Sequence, residues 1–148
     1  MKHTIFNLTN TLIFLMVICL WYFTFTIISP FLHYNFQQVA FITSAEFFRD
    51  FTDYPGGIAD YCAEFLSQFF SVSILGSILI ILDATIKGLI TISIVRKLIG
   101  ETKLKLTIFT LVVIFALSSC FNYYYPFYIS IRLLSSFIFT WLFLLLYY

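Results

Sequence analysis

The feature that most constrains this chain is an apolar run from Ser71 to Val95, interrupted only by Asp83 and Lys87. A stretch of that length has one ordinary environment, the hydrocarbon of a bilayer, which takes roughly 20 residues of α-helix to cross. Three further runs fit the same solvent: Leu12 to Ile28, Leu106 to Asn122 and Phe127 to Tyr148. Composition agrees. The chain is 61% hydrophobic, 22% aromatic and 10% charged, and so few charges do not cover a soluble surface. The same figures exclude a disordered chain, and a net charge of +1 without a basic stripe argues against nucleic-acid binding. The expected fold is all-α, a helical integral membrane protein with about four transmembrane helices and an outer amphipathic helix, with the lipid bilayer as its immediate partner.

The placement of the charges orients these spans. Arg96, Lys97, Lys103 and Lys105 against Glu101 form the largest basic excess in the chain, so the loop at 96–105 is expected to be cytoplasmic. Glu46, Asp50, Asp53, Asp60 and Glu64 then fall outside, in a segment from 30 to 68. Spans at 10–29, 69–95, 106–122 and 127–148 make a single membrane domain with both termini cytoplasmic. The Tyr123-Tyr124-Tyr125-Pro126 corner sits at the outer interface, where amphipathic rings collect. A bacterial inner (plasma) membrane is the expected location. The first run, after Lys2 and His3, is read as an uncleaved span: Thr26 to Pro30 offers no small-x-small cleavage site, and Met16, Val17 and Ile18 are too bulky for a lipoprotein signal at Cys19. Cys19, Cys62 and Cys120 lack disulfide-framework or zinc spacing and are read as small hydrophobes.

In the outer segment, Thr43 and Glu46 have capping-box spacing and Ile42 and Phe47 take the staple positions, which predicts a short helix beginning near Ser44. Tyr54-Pro55-Gly56-Gly57 predicts a type II turn, because proline presets φ at the second position and glycine supplies the positive φ of the third. Ile58, Tyr61, Cys62, Phe65, Leu66, Phe69 and Phe70 then recur on one helix face, with Asp60, Glu64, Ser67 and Gln68 on the other. This predicts an amphipathic interfacial helix running directly into the second span.

Four sets of residues are candidates for chemistry. Glu46, Asp50 and Asp53 share a helix face beside Arg49, a pattern that suits a general base or a cation site and equally suits a solvated face opposite Phe47, Phe48 and Phe51. Asp60 and Glu64 extend this acidic patch, and His33 stands in the same segment as a ligand, a base or a polar interface residue. Asp83 and Lys87 form an i, i+4 pair in the favourable order. If the span begins at Phe65, Lys87 snorkels to the inner headgroups; if it begins at Val72, the pair lies near mid-membrane, as a structural ion pair or a proton path. Arg132, about two turns into the last span, is placed to meet a lipid phosphate or one of the outer carboxylates, and snorkelling explains it as well. Gly76, Gly88, Ser71, Ser73 and Ser77 thin one side of the second helix, as in close helix packing. No Walker loop, HExxH, Ser-His-Asp order or dinucleotide fingerprint occurs, so no cofactor and no metal are expected.

Tyr54-Pro55-Gly56-Gly57-Ile58-Ala59-Asp60-Tyr61, followed by Phe65-Leu66-Ser67-Gln68-Phe69-Phe70, resembles an uncharacterised family of bacterial multi-pass membrane proteins. In that family a Pro-Gly-Gly, Ile or Leu, Ala, Asp or Glu, Tyr motif follows the first span and precedes a Phe-Leu-x-Gln-Phe segment. The resemblance implies no catalytic residue, and family members look longer. The run Leu145-Leu146-Tyr147-Tyr148 carries no basic anchor, which fits a truncated chain or the N-terminal part of a larger protein. The layout of one span and a long acidic outer segment is also similar to the opening of polytopic glycosyltransferases that use lipid-linked sugars, a topological analogy. The functional expectation is a structural or interaction subunit, or an anchoring portion, with a membrane-protein partner or a second copy. The alternatives are an outer-face enzyme handling a lipid-linked glycan, with Glu46 or Asp50 as base and Arg132 on the phosphate, and a small transporter or proton path through Asp83 and Lys87.

Overall fold

The computed structural model describes residues 2–28, 41–100, 104–120 and 126–147. His33, Glu101, Lys103 and the Tyr123 to Tyr125 corner lie outside them, as do the side chains of Lys2, His3 and Cys120. Helix α1 (Lys2–Phe23) continues as a π-helical turn (Thr24–Ile28), and α2 (Ala45–Thr52) and α3 (Gly57–Ser67) follow. A 3₁₀ turn (Gln68–Ser71) then leads to α4 (Ser73–Ile99), α5 (Lys105–Cys120) and α6 (Phe127–Tyr147).

Leu8–Ile27, Ser73–Ile99 and Phe127–Tyr147 are long and apolar enough to cross a membrane. Helix α5, the expected third span, has 16 described residues, a rise of roughly 24 Å. It therefore falls short of the other three within the described residues.

Helix α4 is the hub. Its Ile80, Ile81 and Ala84 bury against Phe109, Val113, Ala116 and Leu117 of α5, with Phe70 completing the cluster. The approach is close because Gly88 has no side chain: a Cβ there would lie 2.7 Å from two ring carbons of Phe109, which is 0% exposed. The small residues Gly76 and Ser77 are buried along the same helix. In the π-helical turn, the Thr24 and Thr26 hydroxyls donate to the Leu20 and Tyr22 carbonyls at 2.8 and 2.9 Å. Such side-chain competition at main-chain carbonyls accompanies the local widening to a π-turn.

The outer helices depart from the sequence expectation in three ways. First, Ser44 is the cap of α2 in place of Thr43: its hydroxyl accepts the Phe47 N–H at 3.1 Å. This register aims Phe47 and Phe51 at Tyr61 of α3, at ring separations of 6.2 and 5.7 Å, and the ring that meets Phe47 edge-to-face is Phe41, at 5.5 Å, while Ile42 stays exposed.

Second, α3 does not run into the next span. Ser67 and Ser71 return their hydroxyls to the Glu64 and Gln68 carbonyls, and Val72 takes an extended conformation at φ −111°, ψ 109°. The break swings Phe70 inward, where it packs on Phe127 with ring centroids 4.9 Å apart.

Third, α3 presents its polar face inward. Gly57, Asp60, Ala63 and Ser67 are buried, whereas Ile58 is 65% exposed and Phe65 and Phe69 also face out. A soluble protein would reverse this orientation; here the inward face meets α6, which carries a charge of its own.

Candidate functional site: two charge clusters closed on one helix

The first cluster is built on the Tyr54-Pro55-Gly56-Gly57 turn. Gly57 N–H donates to the Tyr54 carbonyl at 3.2 Å, and Gly56 sits at φ 87°, ψ −5°, the values of the third residue of a type II turn. Gly57 has no latitude: a Cβ would fall 1.6 Å from the Phe51 carbonyl oxygen. The turn thus brings the end of α2 against the start of α3, and Asp60, in the first turn of α3, faces α6. There Arg132 meets it in a bidentate fork. Nε donates to Asp60 Oδ1 at 2.6 Å and Nη2 donates to Oδ2. The Tyr54 hydroxyl donates to Asp60 Oδ2 at 2.9 Å, and the Arg132 guanidinium lies 5.1 Å from the Tyr128 ring centroid.

These contacts set the electrostatics. The Arg132 hydrogen bonds, helped by the one from Tyr54, hold the Asp60 carboxyl below the usual carboxylate range although burial opposes them. One turn on, burial pushes Glu64 up, and the Asp60 charge adds to the rise; its Oε2 is sealed from solvent and has no hydrogen-bond partner. Burial and the adjacent Asp60 also raise the Tyr54 phenol.

The second cluster lies within the helices expected to span. Lys87 Nζ donates to Asp83 Oδ2 at 2.6 Å and to Ser130 Oγ of α6 at 2.6 Å, while Ser130 donates to the same Asp83 oxygen at 2.8 Å. The three close a ring in which Asp83 and Lys87 are buried, Lys87 at 1% exposed, and Ser130 is half-buried. Asp83 Oδ1 is left without a partner. Further down the helices, Trp141 donates to Ser93 at 2.8 Å and Lys97 to the Leu144 carbonyl at 3.1 Å. Helix α6 is therefore fastened to α3 and α4 by polar contacts from Ser130 to Leu144.

The candidates from the sequence separate into two groups. Asp83 and Lys87 meet directly, and Arg132 meets one of the outer carboxylates, Asp60. Glu46, Asp50 and Asp53 stay exposed on α2, and among the described residues no three His, Cys, Asp or Glu side chains converge as a metal site. Asp60 does not extend their solvated patch, because α3 turns it inward. Ser130 and the hydroxyl of Tyr54 were not singled out by sequence reasoning. A serine in an apolar span is ordinary, and nothing local marks one that will face a buried ion pair forty residues away.

Among the described residues, an all-helical fold with three helices of membrane-crossing length, fastened through buried charge, defines the class. Residues 4–147 match a family of unknown function, DUF6057, and the chain belongs to it. No curated protein and no solved structure matches.

Proposed function

We propose that this chain is a four-span protein of the bacterial inner membrane, with both termini cytoplasmic, that serves as a structural or interaction subunit or as the membrane-anchoring portion of a larger protein. One observation carries the reading: the charged side chains deepest in the helices are spent on one another. Lys87, Asp83 and Ser130 close on themselves, and Arg132 closes on Asp60. Charges used in this way hold helices in register and orientation.

The break at Val72 supports the frame in which the span begins near Ser73. Asp83 then lies ten residues in, roughly 15 Å along the axis and near the middle of a core about 30 Å thick. A snorkelling role for Lys87 is less favoured in that frame, and a shielded pair is the natural arrangement. The test is an Asp83→Leu/Lys87→Leu double variant. Normal insertion, unaltered partner association and unchanged growth support the structural reading. Correct folding with loss of a proton or solute flux refutes it in favour of transport.

A second reading, an outer-face enzyme acting on a lipid-linked glycan, is favoured by Glu64. Its carboxyl has a raised affinity for a proton and stands one turn from Asp60, which Arg132 of α6 holds. Loss of activity in the full-length protein on Glu46→Gln, Asp50→Asn or Glu64→Gln at normal expression supports it, and indifference to all three removes it.

A further inference from the structure

Helix α3 faces α6 along one stripe. Gly57, Asp60, Ala63 and Ser67 recur at helical spacing and are all buried, and Glu64, one turn after Asp60 and three residues before Ser67, falls on the same side. The stripe therefore carries two carboxyl groups, and the cation that faces it from α6, Arg132, gives its fork to Asp60. Glu64 is left without a donor: its Oε2 is sealed from solvent and has no hydrogen-bond partner. The other ionisable groups at this face are Tyr128 of α6, whose ring lies under Arg132, and Tyr54 of the turn, whose hydroxyl goes to Asp60. Glu46, Arg49 and Asp50 of α2, and Asp53 at its end, stay exposed.

One protonation state suits this face. With Asp60 ionised against Arg132 and Glu64 neutral, its charges sum to zero. An ionised Glu64 would add a second negative charge with a sealed oxygen and no donor, which carries the desolvation penalty of an unpaired charge. Burial and the Asp60 charge both push the Glu64 carboxyl up, in agreement with the geometry. The residue as a whole is half-buried, which leaves it open to proton exchange.

The chain also holds a joint at which the strain of ionisation is relieved. Helix α3 stops at Ser67, a 3₁₀ turn follows, and Val72 is extended, while Phe70 is pinned against Phe127 at 1% exposure. A rotation of α3 about residues 68–72 exposes Glu64 and leaves α4 in place. We propose that Glu64 is a proton-binding latch: α3 lies on α6 while Glu64 holds a proton, and loss of that proton releases α3 about the 68–72 joint.

The experiment uses the full chain in detergent micelles. Ser67→Cys, with Cys19, Cys62 and Cys120 changed to Ala, puts a lone thiol on the buried stripe; a second protein that keeps only Cys62 supplies an exposed thiol on the same helix. Reaction of each with a dipyridyl disulfide is timed from about pH 4 to about pH 7.5, below the ordinary thiol value, where both thiolate fractions scale alike and cancel in the ratio of rates. The buried-to-exposed ratio is expected to climb about tenfold for each pH unit between the ordinary glutamate value and the raised one, then level off, and to stay flat in Glu64→Gln. A flat ratio with Glu64 present, or an equal climb in Glu64→Gln, overturns the latch. Hydrogen exchange of the α3 amides, corrected for intrinsic rates, repeats the comparison between the unmodified chain and Glu64→Gln, so the outcome does not depend on the folding of Ser67→Cys.

Discussion

Replacing Lys87 by Met leaves the Asp83 carboxylate with Ser130 as its one remaining donor, at a side chain 9% exposed, while Asp83→Leu strands the Lys87 ammonium at 2%. Breaking a buried pair from one side costs about 3–5 kcal/mol in measured systems. Each single variant should therefore lose about 4 kcal/mol.

The double Leu variant has no charge to strand and should fall within about 1–4 kcal/mol on the stable side of the parent, or match it. Unfolding in detergent micelles, followed by helical circular dichroism against added denaturing detergent, reads all four proteins. A double variant as unstable as the singles would refute the view that mutual neutralisation is what the pair contributes.

Further outcomes test the packing, the outer cluster and the topology. Gly88→Ala places a Cβ about 0.7 Å inside the 3.4 Å at which ordinary contact with Phe109 begins, so it should destabilise by about 1–3 kcal/mol despite alanine's better helix propensity, and Phe109→Leu should rescue it in a thermal melt. Gly57→Ala should fail to accumulate as folded protein, because Phe51 backbone occupies the space, whereas Gly56→Ala meets only the strain of its positive φ and should fold with a lowered melting temperature; size-exclusion profiles distinguish the two. Glu64, raised by burial, binds its proton more tightly folded than unfolded, so its contribution is present below the ordinary glutamate value and lost as pH rises through the folded one; the Glu64→Gln melting temperature should lack that fall. Asp60, held low by Arg132, gives the opposite limb: its stability is present above the ordinary aspartate value and lost as pH drops through the folded one. A membrane-impermeant thiol reagent should label Cys62 and spare Cys19 in intact cells; both thiols are exposed on the protein itself, so equal labelling would remove the proposed topology.

Particular residues show how far the sequence could be read. The apolar runs around Ile18, Ile80 and Phe139 mark long helices because hydrophobic length is a local property. The Pro55-Gly56-Gly57 corner is legible for the same reason, since a positive φ at Gly56 is a demand of one residue's backbone. Asp83 and Lys87 are also local partners, four residues apart on one helix, and their pairing follows from helix geometry. The cap of α2 illustrates the limit of local reading. Thr43 and Ser44 are both competent, and the choice falls to Ser44 because that register carries Phe47 and Phe51 onto Tyr61.

Which face of α3 turns inward could not be read from amphipathicity, since the moment of a helix has the same magnitude whether its surroundings are water or lipid. Sequence alone determined that this chain is helical, apolar and sparsely charged, and where its charges fall along the helices. Only the tertiary structure decided that Asp60 seeks Arg132 across 72 residues of chain and that Ser130 joins Asp83 and Lys87. The physical reason is that a buried charge must find its partner in space, and the three-dimensional packing of α3, α4 and α6 determines which distant residue is within reach.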